Sequence, residues 1–95
     1  MKPSAAVRLH RDAVRKVVAH RALNARVVGS AAQGTDAERS DLDILVDPTA
    51  ETTRLDIGAT RHELRVLPGM SVDVLTPKAL PGKFRDAVLA QAMPV

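Results

Sequence analysis

The chain contains no cysteine, tryptophan or tyrosine, and Phe84 is its one aromatic residue. Without cysteine it can form no disulfide, no thiolate zinc site and no thiolate nucleophile. Without aromatics it lacks the platforms on which single-stranded nucleic acids stack their bases. No apolar run approaches the ~20 residues of a membrane span, and no charged-then-apolar signal segment opens the chain. The expected location is therefore cytoplasmic, with no membrane partner. A length of 95 residues suits one domain, residues 1–95. So short a chain buries a limited share of its surface, which favours a partner chain or a second copy.

Hydrophobic residues make up 45% of the chain. With aromatics missing, the core must be built from Val, Leu, Ile and Ala. The net charge is +3, and the basic residues are unevenly spread. Lys2, Arg8, Arg11, Arg15, Lys16, Arg21 and Arg26 face Asp12 as the only acid in that stretch. Such a patch attracts phosphates, an acidic partner or nucleic acid. On charge alone, a solvated helix face is the simpler reading. No DNA-binding signature accompanies it, so direct nucleic-acid binding is not expected.

The hydrophobic pattern divides the chain into alternating elements. Ser4 to about Leu23 reads as one helix, with Ser4 as N-cap and Val7, Val14 and Val18 on one line, Val17 beside them. Asn24 reads as its stop. Ala25–Val28 reads as a buried strand running into Gly29-Ser30, followed by a polar loop from Ala31 to Arg39. Leu42–Val46 is a second strand, ended by Asp47-Pro48. Thr52 or Thr53 caps a helix to about Leu67, closed by Pro68-Gly69. Ser71–Thr76 is a third strand. A last helix covers about Leu80 to Gln91, with Leu80, Phe84, Ala87 and Val88 as its apolar stripe. The order α-β-β-α-β-α predicts a small α/β layer structure. Three strands are too few to be covered on both faces, which leaves one face for a partner.

The chemistry gathers around three acids. Asp41 and Asp43 are two apart where a strand begins, so both carboxylates point to one face and Leu42 to the other. Carboxylates side by side raise one another's pKa unless a cation lies between them. Hard oxygen ligands favour Mg²⁺ or Mn²⁺ over zinc. Asp73 lies inside the apolar run Ser71-Val72-Asp73-Val74-Leu75, where an unpaired charge is costly. If the third strand adjoins the second, Asp73 joins the other two. Three such carboxylates can hold two metal ions roughly 3.5–4 Å apart, as in-line phosphoryl and nucleotidyl displacement requires. Gly29 lets backbone approach a phosphate closely, and the Ser30 hydroxyl adds a donor. Each feature taken singly has a structural explanation, such as a turn glycine, a capping acid or a strand-edge acid. The joint pattern favours catalysis.

These residues resemble the nucleotidyltransferase superfamily that includes DNA polymerase β. Within it the chain resembles the minimal nucleotidyltransferases, the antitoxin half of HEPN–MNT toxin–antitoxin pairs. The likeness is carried by Gly29-Ser30-Ala31-Ala32-Gln33-Gly34, by Ser40-Asp41-Leu42-Asp43-Ile44-Leu45-Val46, by Val72-Asp73-Val74-Leu75-Thr76-Pro77 and by the terminal stretch Arg85 to Ala92. It implies the minimal nucleotidyltransferase fold, a small mixed sheet of about three strands packed with helices. It also implies that Gly29, Ser30 and Gln33 bind the triphosphate, that Asp41, Asp43 and Asp73 are catalytic and hold two Mg²⁺ ions, and that Asp73 lies nearest the attacking hydroxyl. The implied substrate is ATP, and the implied acceptor is a hydroxyl of a HEPN toxin, silenced by AMPylation in a hetero-oligomer. One departure stands out. Gln33 occupies a position where family members often carry Arg or Lys, and it supplies no charge; Arg39 or Arg26 are candidate substitutes.

An antitoxin that acts by binding alone is the second reading. A basic nucleic-acid module and a stand-alone enzyme for a small acceptor such as an aminoglycoside rank below it. His10, His20 and His62 are widely spaced helix residues without paired ligands, and Asp36, Glu38, Asp47 and Glu51 read as loop charges.

Overall fold

A computed structural model describes all of Met1–Val95. Its elements are helices α1 (Pro3–Leu9) and α2 (Arg11–Ala19), strand β1 (Ala22–Val28), the short helix α3 (Ser30–Gln33), strand β2 (Leu42–Pro48), helix α4 (Arg54–Arg65), strand β3 (Val72–Leu75), helix α5 (Gly82–Gln91) and strand β4 (Met93–Pro94). The sheet order is β3-β2-β1-β4. β2 runs antiparallel to β1 and parallel to β3, and β4 runs antiparallel to β1. The expected mixed sheet is present, with a fourth, two-residue strand added at its edge.

β2 is central because its residues can be buried on both faces. Leu42, Ile44, Leu45 and Val46 are at most 1% exposed. Removing each such side chain from water contributes about 1.5–3 kcal/mol. Leu42, Ile44 and Val46 meet Val72 and Val74 of β3, Val14 and Val18 of α2 and Leu64 of α4 in the main core. Leu45 turns the other way and packs with Val28 and Leu80, against Leu75, Val88 and Leu89. The second sheet face is therefore not left bare, as three strands alone would leave it. α5 lies across part of it.

α4 begins where expected. The Thr53 side chain accepts from the Asp56 amide, and the Asp56 carboxylate accepts from the Thr53 amide, a reciprocal capping box. The N-terminal helix differs from the single Ser4–Leu23 expectation. The chain breaks at His10 (φ −104°, ψ 22°), whose ring nitrogen lies 3.0 Å from the Pro68 carbonyl. Val7 and Val14 reach the same core from either side of the break, which is why their spacing read as one helix. Asn24 does not stop a helix either. It adopts φ 54° inside β1, where the pairing with β2 shifts between Leu23 and Arg26. Its tolerance of the left-handed region serves a bulge. β1 accordingly starts at Ala22 rather than Ala25.

Two further expectations are corrected. Phe84 and Ala87 are exposed on α5, and Val88 and Leu89 make the contact with the sheet. Asp36 is not a solvated loop charge. It is 6% exposed and accepts from the Ser4 amide in the first turn of α1 at 2.8 Å, which holds its carboxyl below the ordinary range. No helix is long and apolar enough to cross a membrane.

Candidate active site

Sheet register assembles the acids. Val28, Asp43 and Asp73 are successive partners across β1, β2 and β3, so their side chains share a face. That face is the one partly covered by α5. Asp43 and Asp73 are half-buried, and Asp41, just before β2, is exposed. The parallel pairing of β2 with β3 brings Asp73 beside Asp43, as the sequence required for any shared chemistry.

β1 ends at Val28, and the chain turns through Gly29 at φ 73°, ψ −149°. Only glycine adopts this region freely. A Cβ placed there would lie 3.3 Å from the Asp43 Oδ2, so the backbone of the Gly-Ser turn passes directly over that carboxylate. The half-buried Ser30 follows and opens α3, whose first amides have no helical acceptors. Gln33, at the far end of α3, is exposed and donates its amide to Gln91 Oε1 at 2.6 Å. It therefore ties α3 to α5.

The carboxylates have different partners. Asp41 accepts from the Ser71 hydroxyl at 2.8 Å. Asp73 accepts from the Val74 amide at 2.9 Å and lies 3.6 Å from the Arg61 guanidinium. The Asp43 carboxyl is pushed up from the ordinary range by burial first, then by the charge of Asp73, then by that of Asp41. Asp43 thus stands in the negative field of both other acids. Asp41, Asp43 and Asp73 are not drawn together into a ready-made three-ligand cage. The donor set is all oxygen and half-open, and it carries a repulsion that a divalent cation would relieve. It fits Mg²⁺ or Mn²⁺.

Asp41 is exposed, Asp43 and Asp73 are half-buried, and none of them lines the five best-formed surface cavities; the acids stand on an open ledge. Ser71 and Arg61 escaped the sequence reading. Ser71 adjoins the third strand but carries no motif. Arg61 is signalled only by its place one turn before Arg65 on α4. Arg26 is committed elsewhere: Asn24 donates to the Asp47 carboxylate at 3.0 Å and Arg26 pairs with it at 2.7 Å, which together hold Asp47 below the ordinary range, so Asp47 is a half-buried residue of β2 rather than the loop charge expected. Arg26 is thus tied to Asp47 rather than to the three acids.

The chain is an α/β protein whose mixed sheet sets acids in register on neighbouring strands beside a Gly-Ser turn. The model of the family described as nucleotidyltransferase domain matches residues 7–92, and the chain belongs to this family. A protein of Methanocaldococcus jannaschii provisionally named a protein adenylyltransferase is 34% identical over 76 residues, 80% of this chain and 82% of that one. A solved structure provisionally described as a minimal nucleotidyltransferase superposes with a TM-score of 0.84 at 36% identity, over 97% of this chain and 95% of the other. The structure of a toxin–antitoxin with AMP-PNP superposes with a TM-score of 0.71 at 19% identity, over 87% of this chain and 69% of the other, a likeness of fold. The fold is that of the minimal nucleotidyltransferases.

Proposed function

We propose that this chain, acting as one nucleotidyltransferase domain over residues 1–95, transfers AMP from ATP to a hydroxyl of a partner protein, and that this neutralises a HEPN-type RNase toxin. The observation that carries the reading is the register of Asp43 with Asp73 beneath Gly29, with the Asp43 carboxyl raised by burial first and then by its two acidic neighbours. The relative named for protein adenylylation supports the acceptor class. The neighbour of like fold with AMP-PNP, itself a toxin–antitoxin, agrees with the adenine nucleotide and the partner.

Asp41, Asp43 and Asp73 would hold two Mg²⁺ ions, which supply charge neutralisation for the phosphates and a lowered pKa for the acceptor hydroxyl. Gly29 and Ser30 hold the triphosphate through turn amides and the Ser30 hydroxyl. Gln33 reaches it only by leaving Gln91, and then as a neutral donor. The acceptor oxygen forms a bond to the α-phosphorus, the α–β bridging bond breaks, and pyrophosphate leaves. Asp73 takes the hydroxyl proton. The open ledge leaves the acceptor side to be walled by the partner, which suits a protein hydroxyl better than a small molecule that would need its own pocket.

Gln33 favours a second reading, an antitoxin that acts by binding alone, because it brings no charge to the phosphates and is engaged with Gln91. Intact-mass spectrometry of the helical toxin partner, incubated with the protein, ATP and Mg²⁺, separates the two. Mass gains in whole AMP units, absent with Asp41→Ala/Asp43→Ala, support transfer. A tight silencing complex with no mass change supports binding alone.

A further inference from the structure

Arg61 is the one basic side chain within ion-pair distance of the three acids. Its position is set by α4. Arg65, one turn later on that helix, donates Nε to the Val72 carbonyl at 2.8 Å, which fixes the helix against β3. Residues four apart share a helix face, so Arg61 falls alongside the next residue of the strand, Asp73. β3 is an edge strand, and no neighbouring strand obstructs the approach.

The two arginines do different things. Arg65 makes a hydrogen bond to backbone. Arg61 stands 3.6 Å from Asp73 Oδ1, beyond hydrogen-bond distance, with both side chains nearly half exposed, at 46% and 47%. Such a contact is electrostatic and easily separated. Asp73 is also one of the two charges that raise the Asp43 carboxyl. A guanidinium beside Asp73 offsets part of the negative field at the centre of the site.

From this we propose that Arg61 is the resident counter-ion of Asp73, a positioning residue that pairs with this carboxylate until a divalent cation takes its place. The inference rests on the metal-binding role assigned above to the three aspartates. It predicts competition: Arg61 keeps Asp73 from repelling its neighbours and must yield Asp73 for the cation to bind.

The test is Mn²⁺ binding to the full chain, read by the loss of the free-ion electron paramagnetic resonance signal in ~0.15 M salt, where exposed charges interact only over about 8 Å. The proteins are the wild type, Arg61→Gln, Asp73→Asn, the double variant and Arg61→Lys. An exposed pair of this kind is worth a factor of about two to five, so Arg61→Gln is expected to bind Mn²⁺ about two- to five-fold more tightly. In the Asp73→Asn background the same change is expected to have no effect, and Arg61→Lys is expected to stay near wild type. An Arg61→Gln affinity equal to or weaker than wild type overturns the inference. A gain that persists without Asp73 overturns it too, because it marks a general field rather than a pair. If wild type binds Mn²⁺ no better than Asp41→Asn/Asp43→Asn, the metal reading itself fails. Thermal melts of every variant show whether folding has changed.

Discussion

Gly29→Ala tests whether the turn above Asp43 is built for close approach. Two costs combine in this substitution. The backbone stands at φ 73°, ψ −149°, a region reserved for glycine that costs another residue about 1–3 kcal/mol. The new methyl would also stand 3.3 Å from Asp43 Oδ2, so the carboxylate must shift by a few tenths of an ångström. Gly34→Ala is the matched control. Gly34 also has positive φ, at 75°, but an added Cβ there meets nothing within 4 Å. Its cost is the left-handed strain alone, about 1–2 kcal/mol. In a domain of this size each kcal/mol lowers the melting temperature by about 4–8 °C. Urea unfolding should therefore show both variants destabilised, Gly29→Ala at least as much as Gly34→Ala. Mn²⁺ titration should separate them, with weakened binding for Gly29→Ala alone. Equal Mn²⁺ affinities would refute the claim that this glycine exists to admit Asp43.

Other consequences follow from individual side chains. Asp43 has a folded pKa above its unfolded value, so its charge opposes folding at neutral pH and the penalty fades as pH falls through the folded value. Asp43→Asn is therefore expected to stabilise the metal-free protein at pH 7, with the gain shrinking under acid in denaturant titrations. Asp36 has the opposite sign. Its carboxyl is held down by the Ser4 amide, so its contribution is present above the ordinary Asp range and lost as pH falls through the lowered value; Asp36→Asn should flatten that part of the acid-unfolding curve. Leu64→Ala, at a fully buried position, should cost about 2–5 kcal/mol and lower the urea midpoint accordingly. Thr53→Ala removes the capping hydroxyl of α4 and should cost about 1 kcal/mol, with Mn²⁺ affinity unchanged.

What the sequence revealed follows from which interactions are local. β2 was legible from its apolar run Leu42–Val46, although the strand runs on through Asp47 and Pro48, where a stop was expected; α4 was legible because Thr52 and Thr53 offered a cap, and the structure uses Thr53. Asp43 was legible because strand periodicity fixes its face, whereas Asp41 lies just before β2 and outside its pairing. Their meeting with Asp73 needed only that β3 adjoin β2. The break at His10 was hidden, since the valines on either side feed one core. Asn24 showed its turn-forming character, but a bulge and a helix end use the same left-handed backbone, and only the pairing with β2 distinguishes them. β4 is two residues, one of them Pro94, and exists because the chain returns to β1, with the Val95 amide on the Ala25 carbonyl at 3.0 Å. Phe84 was misplaced because α5 is apolar on more than one side, and docking selected Val88 and Leu89. Arg61 and Asp36 act across the tertiary structure, on Asp73 and Ser4, and nothing near them in sequence names those partners.

The most direct test of the site is a crystal grown with Mn²⁺ and a non-hydrolysable ATP analogue, with the metal located by anomalous scattering. The account predicts manganese held by Asp41, Asp43 and Asp73, with the triphosphate on the Gly29-Ser30 turn. A triphosphate bound elsewhere, or manganese that does not touch Asp43, would contradict it.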